Sequence, residues 1–175
     1  MRSEIPDEQI VVIGAVKTSL GEFGVALTHC GVARLTFPSD PLAACEQWAA
    51  RWLPDARIVR HEKYLQHVAR ELAAYCDGEL RDFAMPLDLR GTAFQLSVWQ
   101  AVRRIAYGQT QSYTHIAQQI GQPNAVRAVG AANGANPVPI IVPCHRIIGS
   151  NGKLVGYGGG IALKHRLLQL EGVML

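Results

Sequence analysis

The stretch Asn136-Pro137-Val138-Pro139-Ile140-Ile141-Val142-Pro143-Cys144-His145-Arg146 constrains this chain more than any other. Three prolines fix φ at three points and leave the backbone few paths. The apolar residues between them favour burial. Cys144 then falls at a fixed place just after a buried run, beside a histidine. A thiol is a useful nucleophile only as thiolate, and a neighbouring base or cation favours that form. The pattern suits a presented reactive side chain better than a cysteine that only fills a core.

The chain has 175 residues, 49% of them apolar, which is enough for a real core in one unit or two small ones. No segment approaches the ~20 apolar residues of a membrane span, and residues 1–8 lack the apolar core of a signal peptide. Cys30, Cys45, Cys76 and Cys144 are scattered without a C-x-x-C pair, which fits free thiols in a reducing cytoplasm. Charge is divided unevenly. Residues 1–90 carry 10 Lys/Arg and 13 Asp/Glu, whereas residues 91–175 carry 7 Lys/Arg and a single acid, Glu171. A half-chain nearly free of carboxylates suits a polyanion, because each acid near a phosphate would repel it.

The first half reads as a small α/β domain over 1–85. Ile10–Lys17, Gly24–Thr28 and Val32–Phe37 are strand candidates around turns at Thr18–Gly21 and Gly31, and predict an antiparallel meander. Leu42, Cys45, Trp48, Ala49 and Trp52 recur at helical spacing, as do Leu65, Val68, Leu72 and Tyr75, which end near Asp77-Gly78. Cys45 and Cys76 fall on or beside these apolar stripes and read as core residues. Residues 86–91 read as an extended connector to a second domain, 92–175.

In that second domain Phe94, Val98, Val102 and Ile105 mark a helix. Ser112 is placed to cap a short helix over Tyr113–Ile120, which Gly121 ends. Asn124 is placed to cap the next, Ala125–Asn133. Two short helices about a tight turn form a helix-turn-helix pattern. The second carries one charge, Arg127, among very small residues, so its surface can closely approach either a neighbouring helix or the floor of a nucleic-acid groove. It lacks the long polar side chains of a base-edge reader. Asn151-Gly152 between apolar pairs predicts a hairpin resembling a wing. The glycines of Gly156–Gly160 allow close backbone approach, and a last helix spans Ala162–Leu170.

Glu171 follows that helix at its C-terminal end, where the dipole disfavours a carboxylate. A partner explains it, and His145 is the natural one. A carboxylate on one ring nitrogen leaves the other to take the Cys144 proton, the logic of a thiol triad. Asn136 either orients this set or serves as an ordinary turn residue before Pro137.

These residues, with Ser112-Tyr113, Arg127-Ala128-Val129-Gly130 and Gly156-Tyr157-Gly158-Gly159, resemble the 6-O-alkylguanine-DNA alkyltransferases. These are the methylated-DNA–protein-cysteine S-methyltransferases, which repair alkylated DNA by direct reversal. The resemblance covers nearly all of residues 91–175 and is weaker before them. It implies an α+β fold: a ribonuclease-H-like N-terminal α/β domain with an antiparallel sheet, then a mostly helical, winged helix-turn-helix-like domain. It implies single-turnover transfer of an alkyl group from a flipped 6-O-alkylguanine to Cys144, with His145, acting through a water, and Glu171 making the thiolate. Asn136 would hold the turn and Tyr113 would serve the guanine leaving group. Arg127 would fill the space left by the flipped base, with Ser112 and Ser150 as further DNA contacts. Tyr157, Gly158 and Asn133 would line the pocket. The expected partner is double-stranded DNA containing alkylated guanine, met by a cytoplasmic, bacterial-like monomer, with cooperative assembly on DNA left open. No cofactor is expected, and no metal, since His29 and Cys30 lack companions. The alternatives are a non-catalytic alkylated-base-binding helix-turn-helix protein, a helix-turn-helix regulator and a cysteine hydrolase. Cys144, the bare second helix and the acid-poor half argue against them in turn.

Overall fold

The computed structural model describes residues 9–174. The signal-peptide reading of residues 1–8 lies outside the described residues. The chain forms two compact units, one ending at Arg90 and the other beginning at Gly91.

In the first unit, β1 (Ile10–Thr18), β2 (Gly21–Thr28) and β3 (Gly31–Leu35) form the expected antiparallel meander. β4 (Arg57–Val59) adds to β1 in parallel, so the sheet order is β3-β2-β1-β4. β4 was not foreseen, because three residues with exposed Ile58 show no alternation. Val11, Ile13, Ala26 and Ala33 on one face of the sheet pack against Cys45, Trp48 and Ala49 of α1 (Ala43–Trp52). Cys45 is thus a core residue, and burial pushes its thiol pKa up to about 12. α2 (Gln66–Cys76) buries Val68, Leu72, Tyr75 and Cys76, and a 3₁₀ turn over Glu62–Leu65 leads into it.

Residues 86–88 run along β3. The Val32 N–H donates to the Pro86 carbonyl at 2.9 Å, and the Asp88 N–H donates to the Val32 carbonyl at 3.0 Å. Gly31, at φ 140°, permits this approach, because a Cβ there would stand 2.2 Å from the Pro86 oxygen.

The second unit is mainly helical. Thr92 and Gln95 form a reciprocal capping box at the start of α3 (Ala93–Arg103). Trp99 of α3 is buried and donates from Nε1 to the Ala132 carbonyl at 2.8 Å. That bond ties α3 to α5 (Val126–Gly134). Ser112 caps α4 (Tyr113–Gln119) as expected, its hydroxyl accepting from the His115 N–H at 3.1 Å. Gly121, at φ 72°, follows the end of α4.

Two local expectations fail. Asn124 does not cap α5. The Ala125 N–H bonds back to the Gln122 carbonyl at 2.9 Å, which closes a turn and makes Ala125 the cap residue, with no side-chain bond. Nor is there a hairpin ladder around Asn151-Gly152. The strand residues before it, β6 (Ile147–Ile148), pair in parallel with β5 (Gln111–Ser112). What remains is a tight loop, closed by the Gly149 N–H on the Lys153 carbonyl at 2.9 Å. α6 (Ile161–Leu170) then completes the unit. Among the described residues, no helix is long and apolar enough to cross a membrane.

Candidate active site

Val138–Ile147 are buried without a break. Within this run Ile140 takes φ 74°. A β-branched residue is strained there, and only surrounding structure holds it. Asn136 spans the loop. Its Nδ2 donates to the Val142 carbonyl at 2.8 Å, and its Oδ1 accepts from the Val138 N–H at 3.0 Å. Pro143, at φ −79° and ψ 62°, forms the centre of an inverse γ-turn that the Cys144 N–H closes on the Val142 carbonyl at 2.7 Å. Cys144, His145 and Arg146 then make a single 3₁₀ turn, all three buried. Sequence and structure therefore agree that proline geometry sets the cysteine.

His145 Nε2 lies 2.9 Å from Glu171 Oε1, with both side chains fully enclosed. Glu171 has a second partner that sequence reasoning missed. Arg146 donates from Nε to Oε2 at 2.9 Å and from Nη2 to Oε1 at 2.8 Å. The Gly108 N–H reaches Oε2 at 3.2 Å. Arg146 Nη1 also donates to the Ile105 carbonyl at 2.6 Å, and its guanidinium stands 5.8 Å from the Tyr107 ring centre. A carboxylate at a helix C-terminus is thus held by a bidentate guanidinium, a strong form of ion pair. One signal was in view: a lone acid in a buried motif needs a cation, and Arg146 is in that motif.

Lys164 was also missed. It lies on α6, fully buried, and donates to the Ile147 carbonyl at 2.5 Å and the Val155 carbonyl at 3.0 Å. Burial pushes its pKa down to about 8, with Cys144 opposing the shift.

The protonation states follow from enclosure. Burial pushes the Cys144 thiol pKa up, against the pull of Asn136, Lys164 and Tyr157. Burial pushes His145 below the ordinary histidine range, and Glu171 opposes this. The resting pair is therefore neutral thiol and neutral imidazole. Glu171 is the carboxylate in contact with that imidazole.

The other expected residues fall into two groups. Asn133 and Asn136 are buried with Cys144, and Tyr113 and Tyr157 are half-buried, both with side chains close enough to influence it. Arg127, Ser150 and Gly158 are exposed, while Ser112 is partly covered and engaged in its cap. On α5 the exposed face carries Arg127, Ala128, Ala131 and Gly134, and the buried face carries Val129, Ala132 and Asn133. Among the described residues of this unit, every exposed Lys, Arg, Asp or Glu is a cation: Arg103, Arg104, Arg127, Lys153 and Arg166. In the first unit, His29 Nε2 lies 3.1 Å from Cys30 Sγ. Among the described residues no three His, Cys, Asp or Glu side chains gather as a metal site.

A meander-plus-helix unit and a helical unit with an enclosed Cys-His-Glu set define a protein with an acceptor or nucleophilic cysteine. The model of the 6-O-methylguanine DNA methyltransferase DNA-binding domain matches residues 93–173. The inducible methylated-DNA–protein-cysteine methyltransferase of Bacillus subtilis is 46% identical over 149 residues, covering 85% of this chain and 83% of that protein. The Mycobacterium tuberculosis methylated-DNA–protein-cysteine methyltransferase is 62% identical over 101 residues, 58% of this chain and 61% of that protein. The crystal structure of Mycobacterium tuberculosis OGT in complex with DNA superposes with TM-score 0.79 at 41% identity, covering 93% of this chain and 92% of the other. This chain belongs to the methylated-DNA–protein-cysteine methyltransferase family.

Proposed function

We propose that Cys144 accepts the alkyl group in direct-reversal repair of 6-O-alkylguanine in duplex DNA, the activity for which this family is named. The observation that carries the assignment is the enclosed His145–Glu171 contact next to a cysteine fixed by the Pro143 turn. The alkylated oxygen is hidden in the base stack, so the nucleotide must be extruded, at a cost of a few kcal/mol. His145 takes the thiol proton through a water, and Glu171 stabilises the imidazolium. The sulfur attacks the alkyl carbon, a carbon–sulfur bond forms, and the carbon–oxygen bond breaks. Its electron pair stays with the guanine, which receives a proton or hydrogen bond from Tyr113. A thioether is a poor leaving group, so each chain repairs one lesion, with no cofactor.

Arg127 enters the duplex in place of the extruded base. Its exposure among small residues of α5 supports this, because a side chain held in the core could not do so. The same bare face lets α5 lie close against the sugar–phosphate walls of a groove, and the all-cationic surface favours the phosphates. Ser112 and Ser150 serve as further DNA contacts. Tyr157 walls the pocket, the Gly158 N–H faces the guanine oxygen, and Asn133 completes the lining. The second unit holds this whole residue set, which supports action as a monomer. Four free cysteines support a reducing cytoplasm as its place of work.

The test uses duplex DNA labelled on the methyl group of 6-O-methylguanine. Label should appear on Cys144 in a one-to-one ratio and be absent from Cys144→Ser. A Cys144→Ser protein that still clears the lesion rules the assignment out. Arg127→Ala should slow repair of duplex DNA far more than reaction with the free alkylated base. Equal losses on the two substrates would remove its intercalating role.

A further inference from the structure

Two side chains compete for the Glu171 carboxylate. Its Oε1 accepts from Arg146 Nη2 at 2.8 Å and from Arg146 Nε at 3.1 Å, and His145 Nε2 stands 2.9 Å from the same atom. A guanidinium fork binds a carboxylate more strongly than a neutral imidazole does. The fork would satisfy Glu171 wherever Arg146 carried it, so the imidazole contact needs a further element to hold it. The turn after α3 is placed to do this. The Gln109 N–H closes it on the Ala106 carbonyl at 3.1 Å, with Tyr107 and Gly108 at its centre. Gly108 has φ 75°, the positive value that the third position of a type II turn requires. The turn grips both members of the ion pair. On the Arg146 side, the Ile105 carbonyl accepts from Nη1 at 2.6 Å, and the Tyr107 ring centre lies 5.8 Å from the guanidinium carbon. On the Glu171 side, the Gly108 N–H donates to Oε2 at 3.2 Å, and the Tyr107 hydroxyl donates to the Leu170 carbonyl at 2.9 Å. Leu170 ends α6, and Glu171 follows it directly. A Cβ on Gly108 would stand 3.0 Å from the Glu171 backbone oxygen, so a side chain there would press on the residue that the turn holds.

We propose that Tyr107 and Gly108 are positioning residues for alkyl transfer: their turn keeps the Glu171 carboxylate against His145 while Arg146 balances its charge. The proposal rests on Cys144 as acceptor and His145 as its base, and it names the element that sets the strength of that base. The charged groups that act on His145 are Glu171, Arg146 and Lys164, and of these only Glu171 favours the protonated ring. A carboxylate that drifts toward the guanidinium therefore leaves a weaker base. Small displacements of groups that serve a reaction cost rate out of proportion to their size.

The experiment measures single-turnover methyl transfer from duplex 6-O-methylguanine to Cys144, at saturating DNA, over a pH range on both sides of neutrality. Protonation of His145 removes the base, so the rate falls on the acid side. Tyr107→Phe should lower the plateau by roughly threefold and Gly108→Ala by roughly tenfold or more. Both should move the acid limb to lower pH. Thr92→Ala destabilises the same unit without touching the turn, and it should keep the native plateau and limb. Thermal melts report the folding of each variant. Tyr107→Phe removes one hydroxyl and keeps the ring, so it decides the matter if Gly108→Ala does not fold. An acid limb that stays in place in Tyr107→Phe, or moves to higher pH, overturns the proposal and reduces the turn to a structural brace. Those results leave Cys144 untouched as acceptor, whereas methyl transfer by Cys144→Ser would sink the underlying assignment instead.

Discussion

The two units bury different things. Among the described residues, the buried polar side chains of the first unit are Thr28 and Thr36, both neutral. Those of the second are Asn133, Asn136, His145, Arg146, Lys164 and Glu171. The first unit is held by apolar burial of a sheet against helices. The second encloses an ion pair, a lone lysine and a histidine, each of which costs desolvation energy. Stability alone does not call for that arrangement, since well-packed apolar groups often do as well. A site for chemistry gives a reason, because groups fixed in advance stabilise charge as it develops without reorganising.

That contrast can be broken or sharpened by measurement. The largest effect should come from Glu171→Ala, which leaves Arg146 buried without a counter-charge. A loss of about 3–5 kcal/mol is expected in denaturant unfolding of the second unit. A loss near zero would mean the pair is not structural. Leu72→Ala, in the first unit, should cost about 3 kcal/mol by leaving a cavity. It should leave the methyl-transfer rate of the folded protein unchanged, and a slowed rate would dissolve the division of labour.

Changes in pH should separate the units more finely. His145 has a folded pKa below that of the unfolded chain, so on acidification the unfolded state takes up its proton first. Stability should therefore fall as pH drops below about 6.5, by at most about 1.4 kcal/mol per pH unit, until the folded pKa is passed. Lys164 is likewise depressed, to about 8 from 10.5, so its contribution should grow between those values as the buried cation loses its charge. Cys45 acts with the opposite sign. Its pKa is raised to about 12 from 9.0, so it should erode stability above pH 9. Thermal melts across pH 5–11 of the native protein, Lys164→Met and Cys45→Ala would resolve the three. The smallest effect is expected from Thr92→Ala, about 1 kcal/mol for loss of the cap, read from the shift in denaturation midpoint.

Features set by neighbouring residues were legible in the sequence. The meander, the Ser112 cap, the Gly121 stop and the Pro143–Cys144 presentation each depend on a few adjacent positions. Glu171 was legible because it violates the dipole rule at its helix end. What escaped depends on contacts distant in sequence. β4 is a strand because β1 lies beside it, not because Arg57-Ile58-Val59 demands one. The Asn151-Gly152 turn lost its hairpin because β6 pairs with β5 instead. Lys164 is buried because two carbonyls from residues 147 and 155 receive its ammonium, and neither contact is local in sequence.

The second unit's one described carboxylate is inside, and its outward charges are four arginines and Lys153. Guanidinium groups do not titrate in the physiological range. Mild acidification therefore has no outward carboxylate there to neutralise, while the enclosed imidazole senses it through its own equilibrium. The attraction that brings a polyanion to the door therefore depends on ionic strength, and the groups behind the door on protons as well.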